Sequence, residues 1–495
     1  MASIELLRRA AAHGQRPAFA STGFEVSYAT LLSDSARLAC TLLHGRADLN
    51  EERIVFLVPA SAAYAMVQWA IWRAGGIAVP LAVGAALPEL GYVMSATSAS
   101  RAIVSTRPGP EYAGLCAAQG IELLVLDELE RLDPAPLPVI GADRRAMILF
   151  TSGTTSKPKG VVSTHANVQS QVETLVQEWE WRGDDRIPLF LPLHHVHGII
   201  NVLTCALWSG ACVEPFPSFS VDQVLARVAA GAYTVFMAVP TIYVKLIQKL
   251  ESMETPERKA CCEGFKNMRL MVSGSAALPA EIHQTWKNMT GQALLERYGM
   301  TEIGMAISNP VHGERRPGAV GKPLPGVEIR LLSETGDRIF DENEPGEIWV
   351  KGPGVFAEYW NNPQASREAF SDGWFRTGDM AVRERGYYRI MGRLSVDIIK
   401  SGGYKLSALE IEDVLLGHPE ITECAVVGIE DPTWGEAVAA AVVVRENSGL
   451  DLAGLREWAG SRLSGYKLPK HLKIVSSLPR NAMGKVTKPA VRAMF

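Results

Sequence analysis

The run TSGTTSKPKG, Thr151 to Gly160, follows directly on the apolar segment AMILF, Ala146 to Phe150. Three threonines, two serines, two glycines and two lysines share ten positions. A strand that ends in such a loop can wrap backbone N–H groups and hydroxyls around phosphate oxygens, while lysine adds charge. A hairpin turn draws on the same residue types. The P-loop spacing GxxxxGK[ST] is absent and no helical pattern follows the loop directly. Taken alone, the stretch leaves phosphate binding and a plain turn both open.

Outward from the loop, short apolar runs alternate with helical patterns. RIVFLVP (53–59) reads as a strand, SAAYAMVQWAIWRAGG (61–76) as a helix, IAVPL (77–81) as a strand, ELGYVMSA (89–96) as a helix and RAIVST (101–106) as a strand. This alternation predicts parallel α/β layers. YTVFMAVP, MRLMVSGSA and QALLERYGM, within residues 233–300, each read as a strand ending in small or turn-forming residues. Residues 326–374 carry VEIRLLS and GEIWVKG among turns and predict a β-rich subdomain. After GYYRIMGR come an amphipathic helix (ALEIEDVLLGH), two strands (TECAVVGI and EAVAAAVVV), a helix (LAGLREWAGSRL) and HLKIVSS, a small α+β unit. The fold class is therefore α/β. A large N-terminal domain of layered α/β subdomains plus a β-rich subdomain takes residues 1–394, and a small α+β C-terminal domain takes 395–495.

Composition narrows the function. At 495 residues the chain exceeds what one core ordinarily serves. A net charge of −4 argues against nucleic acid as a partner. The longest apolar stretch, AYAMVQWAIWRAGGIAVPL, is broken by Arg73 and a Gly-Gly pair, so no membrane span is expected. The start, MASIELLRRAAAHG, lacks a secretory apolar region and reads as an amphipathic helix. Seven dispersed cysteines, with one vicinal pair (Cys261, Cys262) and no CxxC, suit a reducing compartment without disulfides. The cytoplasm is the expected location, with an organelle of a eukaryote as the alternative.

Four further stretches follow in order: ERYGMTE (Glu296 to Glu302), WFRTGD (Trp374 to Asp379), GRLSVDIIKSGGYK (Gly392 to Lys405) and NAMGKVTK (Asn481 to Lys488). Singly each has an ordinary reading: Asp379 as a turn residue, Arg393 as a solvated strand end, Lys485 as one lysine in a tail. As an ordered set with TSGTTSKPKG they resemble the core motifs of the adenylate-forming superfamily, which includes acyl-CoA synthetases, peptide-synthetase adenylation domains and luciferases. The resemblance covers essentially the whole chain. It implies ATP, Mg²⁺ and coenzyme A, an acyl-adenylate intermediate, and a C-terminal domain that moves between two half-reactions.

The resemblance also implies roles. Thr151, Ser152, Gly153, Thr154, Thr155 and Lys159 would hold the β- and γ-phosphates, with Ser156 where glycine is usual. Tyr298 would lie against adenine beside Gly274, Ser275 and Ala276. Thr301 would contact the α-phosphate and Glu302 would hold Mg²⁺. Asp379 and Arg393 would bind the ribose hydroxyls. Lys485 would reach the α-phosphate and carboxylate oxygens as charge develops. Gly402 and Gly403 would face CoA near Trp434, and the hinge would fall at Ser395 and Val396, in a stretch one residue longer than the common form.

The acid pocket departs from the commonest pattern. Arg297 stands where many members have glycine, LPLHHVHG adds His194, His195 and His197, and Lys245 lies one helical turn past Thr241. His195 joins the catalytic set; Arg297, Lys245 and His197 would receive a second substrate carboxylate. LERYGMTE, VPTIY, SGSAALP, RPGAVGKPLPGV and SGGYK are most similar in style to the malonyl-CoA synthetase branch. That implies a small-molecule acid, malonate first and methylmalonate second. A short- or medium-chain monocarboxylate ligase, an enzyme that loads a carrier protein and a non-catalytic adenylate-binding protein stay open as alternatives.

Overall fold

The apolar run before the quoted loop becomes an inner strand of a seven-stranded sheet. The computed structural model describes residues 4–495 other than 134, 152–157, 402–403, 447 and 481–485. Strand β1 (Arg145–Thr151) pairs antiparallel with β2 (Lys159–Thr164). Beyond β1 lie Ile77–Pro80, Arg53–Leu57, Arg101–Val104 and Glu122–Val125, all parallel. Helices Ala62–Arg73 and Leu87–Thr97 supply the crossovers. Ile54, Val55 and Phe56 are buried, as strands covered on both faces must be. The expected parallel layer thus holds for these strands. β1 and β2 depart from it because the connection 152–158 is far too short for a crossover and can only join antiparallel neighbours.

A second, five-stranded sheet carries the ERYGMTE motif. Val235–Ala238 leads into helix α1 (Pro240–Ser252). Strand β3 (Leu270–Ser273) runs parallel to β4 (Leu295–Met300), with helix α2 (Ala280–Thr290) between them. β4 turns back through Thr301–Ile303 into the antiparallel β5 (Gly304–Ser308). A four-stranded sheet pairs the two N-terminal strands with Cys212–Pro215 and Arg186–Leu189. The first helix, Glu5–His13, buries Leu6, Leu7 and Ala10.

The β-rich stretch forms a six-stranded antiparallel sheet, including β6 (Trp374–Glu384) and β7 (Tyr387–Arg393). The C-terminal residues build another sheet from β8 (Ile398–Ser401), β9 (Tyr404–Ser407), Ile421–Asp431, Gly435–Val444 and His471–Ile474. Helices α3 (Ala408–Leu416) and Leu452–Gly460 bury Ile411, Leu415 and Leu455 against Val426 and Val438 of that sheet, a core of its own. Among the described residues no helix is long and apolar enough to cross a membrane. All seven cysteines are free, including the vicinal pair.

Candidate active site

Strand alternation gives β4 two working faces. Arg297 points to one side, fully enclosed. Its Nη2 lies 3.5 Å from Ser275 Oγ, the same oxygen that lies 3.1 Å from His197 Nδ1. Arg297 Nε and His197 Nε2 are buried without a hydrogen-bond partner, and no carboxylate pairs with Arg297 among the described residues. Burial pushes the guanidinium down to about 9, so it stays charged at neutral pH. Burial, with the charge of Arg297 second, drives the His197 imidazole well below its ordinary range, so it is neutral. Two backbone features make this packing possible. A Cβ placed on Gly274 would sit 2.4 Å from Arg297 Cζ, so glycine there lets the guanidinium lie against the backbone where any side chain would displace it. Ser275 sits at φ 71°, a conformation that side-chain-bearing residues rarely adopt and that recurs at functional sites.

Glu296, next in the chain, faces away from Arg297. Its Oε1 accepts from the Gly318 N–H at 3.0 Å, and burial pushes its carboxyl up to about 8. An internal ion pair for Arg297 is thereby ruled out among its sequence neighbours.

On the opposite face of β4, three of the quoted stretches converge. Tyr298 donates to Asp379 Oδ2 at 2.6 Å, and Arg393 Nε meets Asp379 Oδ1 at 2.9 Å. Asp379 and Arg393 are cross-strand partners on β6 and β7, and Thr377 Oγ1 accepts from the Asp379 N–H at 3.0 Å. Glu302, in the turn after β4, accepts from Tyr359 at 3.0 Å, and Lys159 Nζ lies 5.0 Å over the Tyr359 ring. Thr151 faces Lys159 across the β1–β2 pair, so both ends of TSGTTSKPKG come together on the side of Tyr359. Burial raises the Glu302 carboxyl, with Arg393 opposing and Asp379 adding to the rise. Thr301 occupies the same turn, half-buried. Gly274, Ser275 and Ala276 follow directly on β3.

The structure also separates some expected partners. Lys245 is exposed on α1, whose inward face is Tyr243, Leu246, Ile247 and Leu250, and it carries no ion pair or hydrogen bond among the described residues. His194 and His195 pack ring to ring at 4.1 Å, and burial pushes His194 down to about 4. They precede a π-helical segment, His197–Thr204, a rare form that is frequent at functional sites. Trp434 is exposed, with Lys470 Nζ 3.8 Å over its ring. Ser152, Gly153, Thr154, Thr155, Ser156, Gly402, Gly403 and Lys485 lie outside the described residues.

The sequence profile described as "AMP-binding enzyme" matches residues 6–360, and the one described as "AMP-binding enzyme C-terminal domain" matches 410–485. The chain belongs to the AMP-binding enzyme family. Among its relatives are the mitochondrial malonate–CoA ligase ACSF3 of Homo sapiens, 44% identical over 536 residues, spanning 100% of this chain and 92% of that protein. The Xenopus laevis counterpart is 45% identical over 481 residues, spanning 90% and 83%. The crystal structure of ATP-bound MatB from Rhodopseudomonas palustris superposes with a TM-score of 0.89 at 34% identity, covering 100% of this chain and 99% of that one.

Two contributors, Tyr359 and Thr377, escaped the sequence reading, and Gly274, expected beside the adenine, has a further role. Tyr359 holds Glu302, Thr377 holds Asp379, and Gly274 makes room for Arg297. Thr377 lies inside the quoted WFRTGD, whereas nothing around Tyr359 marks it. Replacing Tyr298 with Phe removes the hydroxyl from a buried Asp379 and should cost about 1–3 kcal/mol of stability, read by chemical denaturation. An unchanged midpoint would mean that Asp379 is satisfied without Tyr298.

Proposed function

We infer that this chain is an AMP-forming acid–thiol ligase that converts malonate, ATP and CoA into malonyl-CoA, AMP and pyrophosphate. One observation carries the choice of acid: a fully buried guanidinium, Arg297, with no carboxylate beside it among the described residues. A buried charge without a partner is costly, and a substrate carboxylate would relieve that cost. The relatives named malonate–CoA ligase support the same reading.

In the first half-reaction a carboxylate oxygen of malonate attacks the α-phosphorus, the bond to pyrophosphate breaks and malonyl-adenylate forms. In the second, the CoA sulfur attacks the acyl carbon and AMP leaves. Such transfers rest on positioning and charge neutralisation rather than on a protein nucleophile. Arg297 receives the distal carboxylate bidentately, and neutral His197 orients it through Ser275. Lys245, exposed, contributes a solvent-side charge. Asp379 and Arg393 bind the ribose, Tyr298 flanks the adenine and holds Asp379, and Thr151 and Lys159 flank the phosphates. Lys485 meets the developing charge at the α-phosphate.

Among the described residues no group of three or more His, Cys, Asp or Glu could cage a metal ion, which leaves Glu302 there as the hard ligand proposed for Mg²⁺. That suits an ion brought in with nucleotide phosphates. Bound there, Mg²⁺ neutralises phosphate charge.

Residues 1–394 and 395–495 act as separate domains that turn about 394–396. Two separately matched profiles and a separate C-terminal core support this division. Seven free cysteines fit the cytoplasm or, as in the relatives named mitochondrial, an organelle interior.

Pyrophosphate exchange with malonate, acetate and butyrate tests the reading. Arg297→Gly should lose about 10²- to 10³-fold in kcat/KM for malonate and should stop rejecting butyrate. Gly274→Ala, which pushes the guanidinium out of place, should lose about 10²-fold. Malonate activity within a few-fold of the parent in Arg297→Gly would hand the assignment to a monocarboxylate ligase. Separately, Lys485→Ala should lower exchange by about 10²- to 10³-fold and spare thioester formation from synthetic malonyl-adenylate. Equal loss in both steps would sink the division of labour between two domain orientations.

A further inference from the structure

Away from the chain crossing at 394–397, and from Ser407, whose hydroxyl donates to the Met391 carbonyl beside that crossing, two polar contacts among the described residues tie the C-terminal residues to the rest. Lys400 of β8 pairs with Glu334 at 2.9 Å, an exposed contact of the kind that contributes little. The other is more specific. Asp413, on α3, accepts from the backbone N–H of Ala280 at 3.1 Å. Ala280 is the first residue of α2, and Pro279 before it offers no side-chain cap. The first amides of a helix lack intrahelical partners and favour a carboxylate, so α2 is capped by a residue from the other end of the chain.

That cap is opposed from nearby. Glu281, in the first turn of α2, raises the Asp413 carboxyl after burial has done so, and Asp413 in turn adds to the rise of Glu296. Glu281 also approaches the C-terminal end of α3: a Cβ placed on Gly417 would sit 3.3 Å from its Oε2, where the helix dipole disfavours a carboxylate. The contact is thus attractive at one amide and opposed by the Glu281 carboxylate. It also sits on the acid pocket's own segment, because the loop from Ser273 to Pro279 carries Gly274 and Ser275 under Arg297 and runs directly into α2.

We propose that Asp413 is a positioning residue that, by capping α2, holds the C-terminal domain in the orientation of the first half-reaction and must let go before the second. This rests on the ligase reading above. Its consequence is that the hold is tuned to break. A helix cap strong enough to order the domain is weakened by Glu281, and the segment it grips carries Gly274 and Ser275 beneath Arg297.

The test uses the full chain, with malonate-dependent ATP–pyrophosphate exchange and thioester formation from synthetic malonyl-adenylate measured separately. Asp413→Ala should lower exchange about fivefold, the usual order for a lost helix cap, and leave thioester formation unchanged or faster. Asp413→Asn keeps an acceptor oxygen for the Ala280 N–H and sheds the repelled charge, so it should retain parental exchange and slow the thioester step. Equal losses in both steps for Asp413→Ala, or an Asn variant as impaired as the Ala variant in exchange, would overturn the proposal. Amide hydrogen exchange at Ala280 reads the contact without any acid: protection in the parent that Asp413→Ala removes supports it, and fast exchange in the parent overturns it. A parent protected there yet inactive on malonate would defeat the malonate reading while leaving the cap in place.

Discussion

Arg297 is enclosed on β4 with its Nε unpartnered and no acidic side chain answering its charge among the described residues. Keeping a cation in that state constrains everything around it. The residue beneath it must lack a side chain, which Gly274 supplies, and the next must bend into left-handed backbone so that its hydroxyl can reach the guanidinium, which Ser275 does. A second cation in the same enclosure would be prohibitive, and burial keeps His197 neutral. The nearest acid in sequence must not neutralise the site, and strand alternation turns Glu296 to the other face, where it is held as a largely protonated carboxyl. These residues form a pocket whose electrostatic balance closes only when an anion arrives from outside.

The other face of β4 solves a different problem. Asp379 and Glu302 are both buried carboxylates, and burial raises both. Arg393 stands between them, in direct contact with Asp379 and electrostatically felt by Glu302, while Tyr298 and Tyr359 each donate to one acid. One guanidinium and two phenols hold the two acids in place without cancelling both charges. What remains is acceptor capacity suited to sugar hydroxyls at Asp379 and to a hard cation at Glu302. The Arg297 pocket and the Asp379–Glu302 cluster are thus back to back on one strand, each with its own guanidinium.

Much of this was legible in the sequence because the chemistry sits in short, contiguous runs. ERYGMTE lands as a strand leading into a turn and TSGTTSKPKG begins at the end of a strand, whereas WFRTGD, where Asp379 reads as a turn residue, lies within β6 with Asp379 facing Arg393 across the ladder. The parallel layer was readable from its alternation of apolar runs and helices. Its antiparallel edge was not, since periodicity reports burial and only the length of the connection reports direction. Tyr359 and Lys245 show the limit for side chains. Tyr359 reaches Glu302 from 57 positions away, which no local pattern encodes. Lys245 sits one turn from Thr241 as the spacing requires, yet Tyr243, Leu246 and Leu250 claim the inward face of its helix and leave the lysine outside.

The chain crossing between the two regions shows how the two sites share a mechanical link. Asp397 accepts from the Arg393 N–H at 2.9 Å through Oδ2, while its Oδ1 lies 3.5 Å from Lys488, which also bonds Glu412 and the carbonyl of Val426. Leu394, Ser395 and Val396 form the turn between them, closed by the Asp397 N–H on the Arg393 carbonyl at 2.8 Å. Arg393 belongs to the sheet that binds Asp379, and Lys488 is three positions past Lys485 in the chain. One carboxylate therefore contacts both β7, which ends in Arg393, and Lys488 near the C-terminus. A rotation within 394–396 would have to give up the Arg393–Asp397 closure, while Asp397, Lys488 and Glu412 form one half-buried ion group of two carboxylates on one ammonium. An ion group of that kind resists being pulled apart, so in such a rotation the φ/ψ change would fall on the three residues before it.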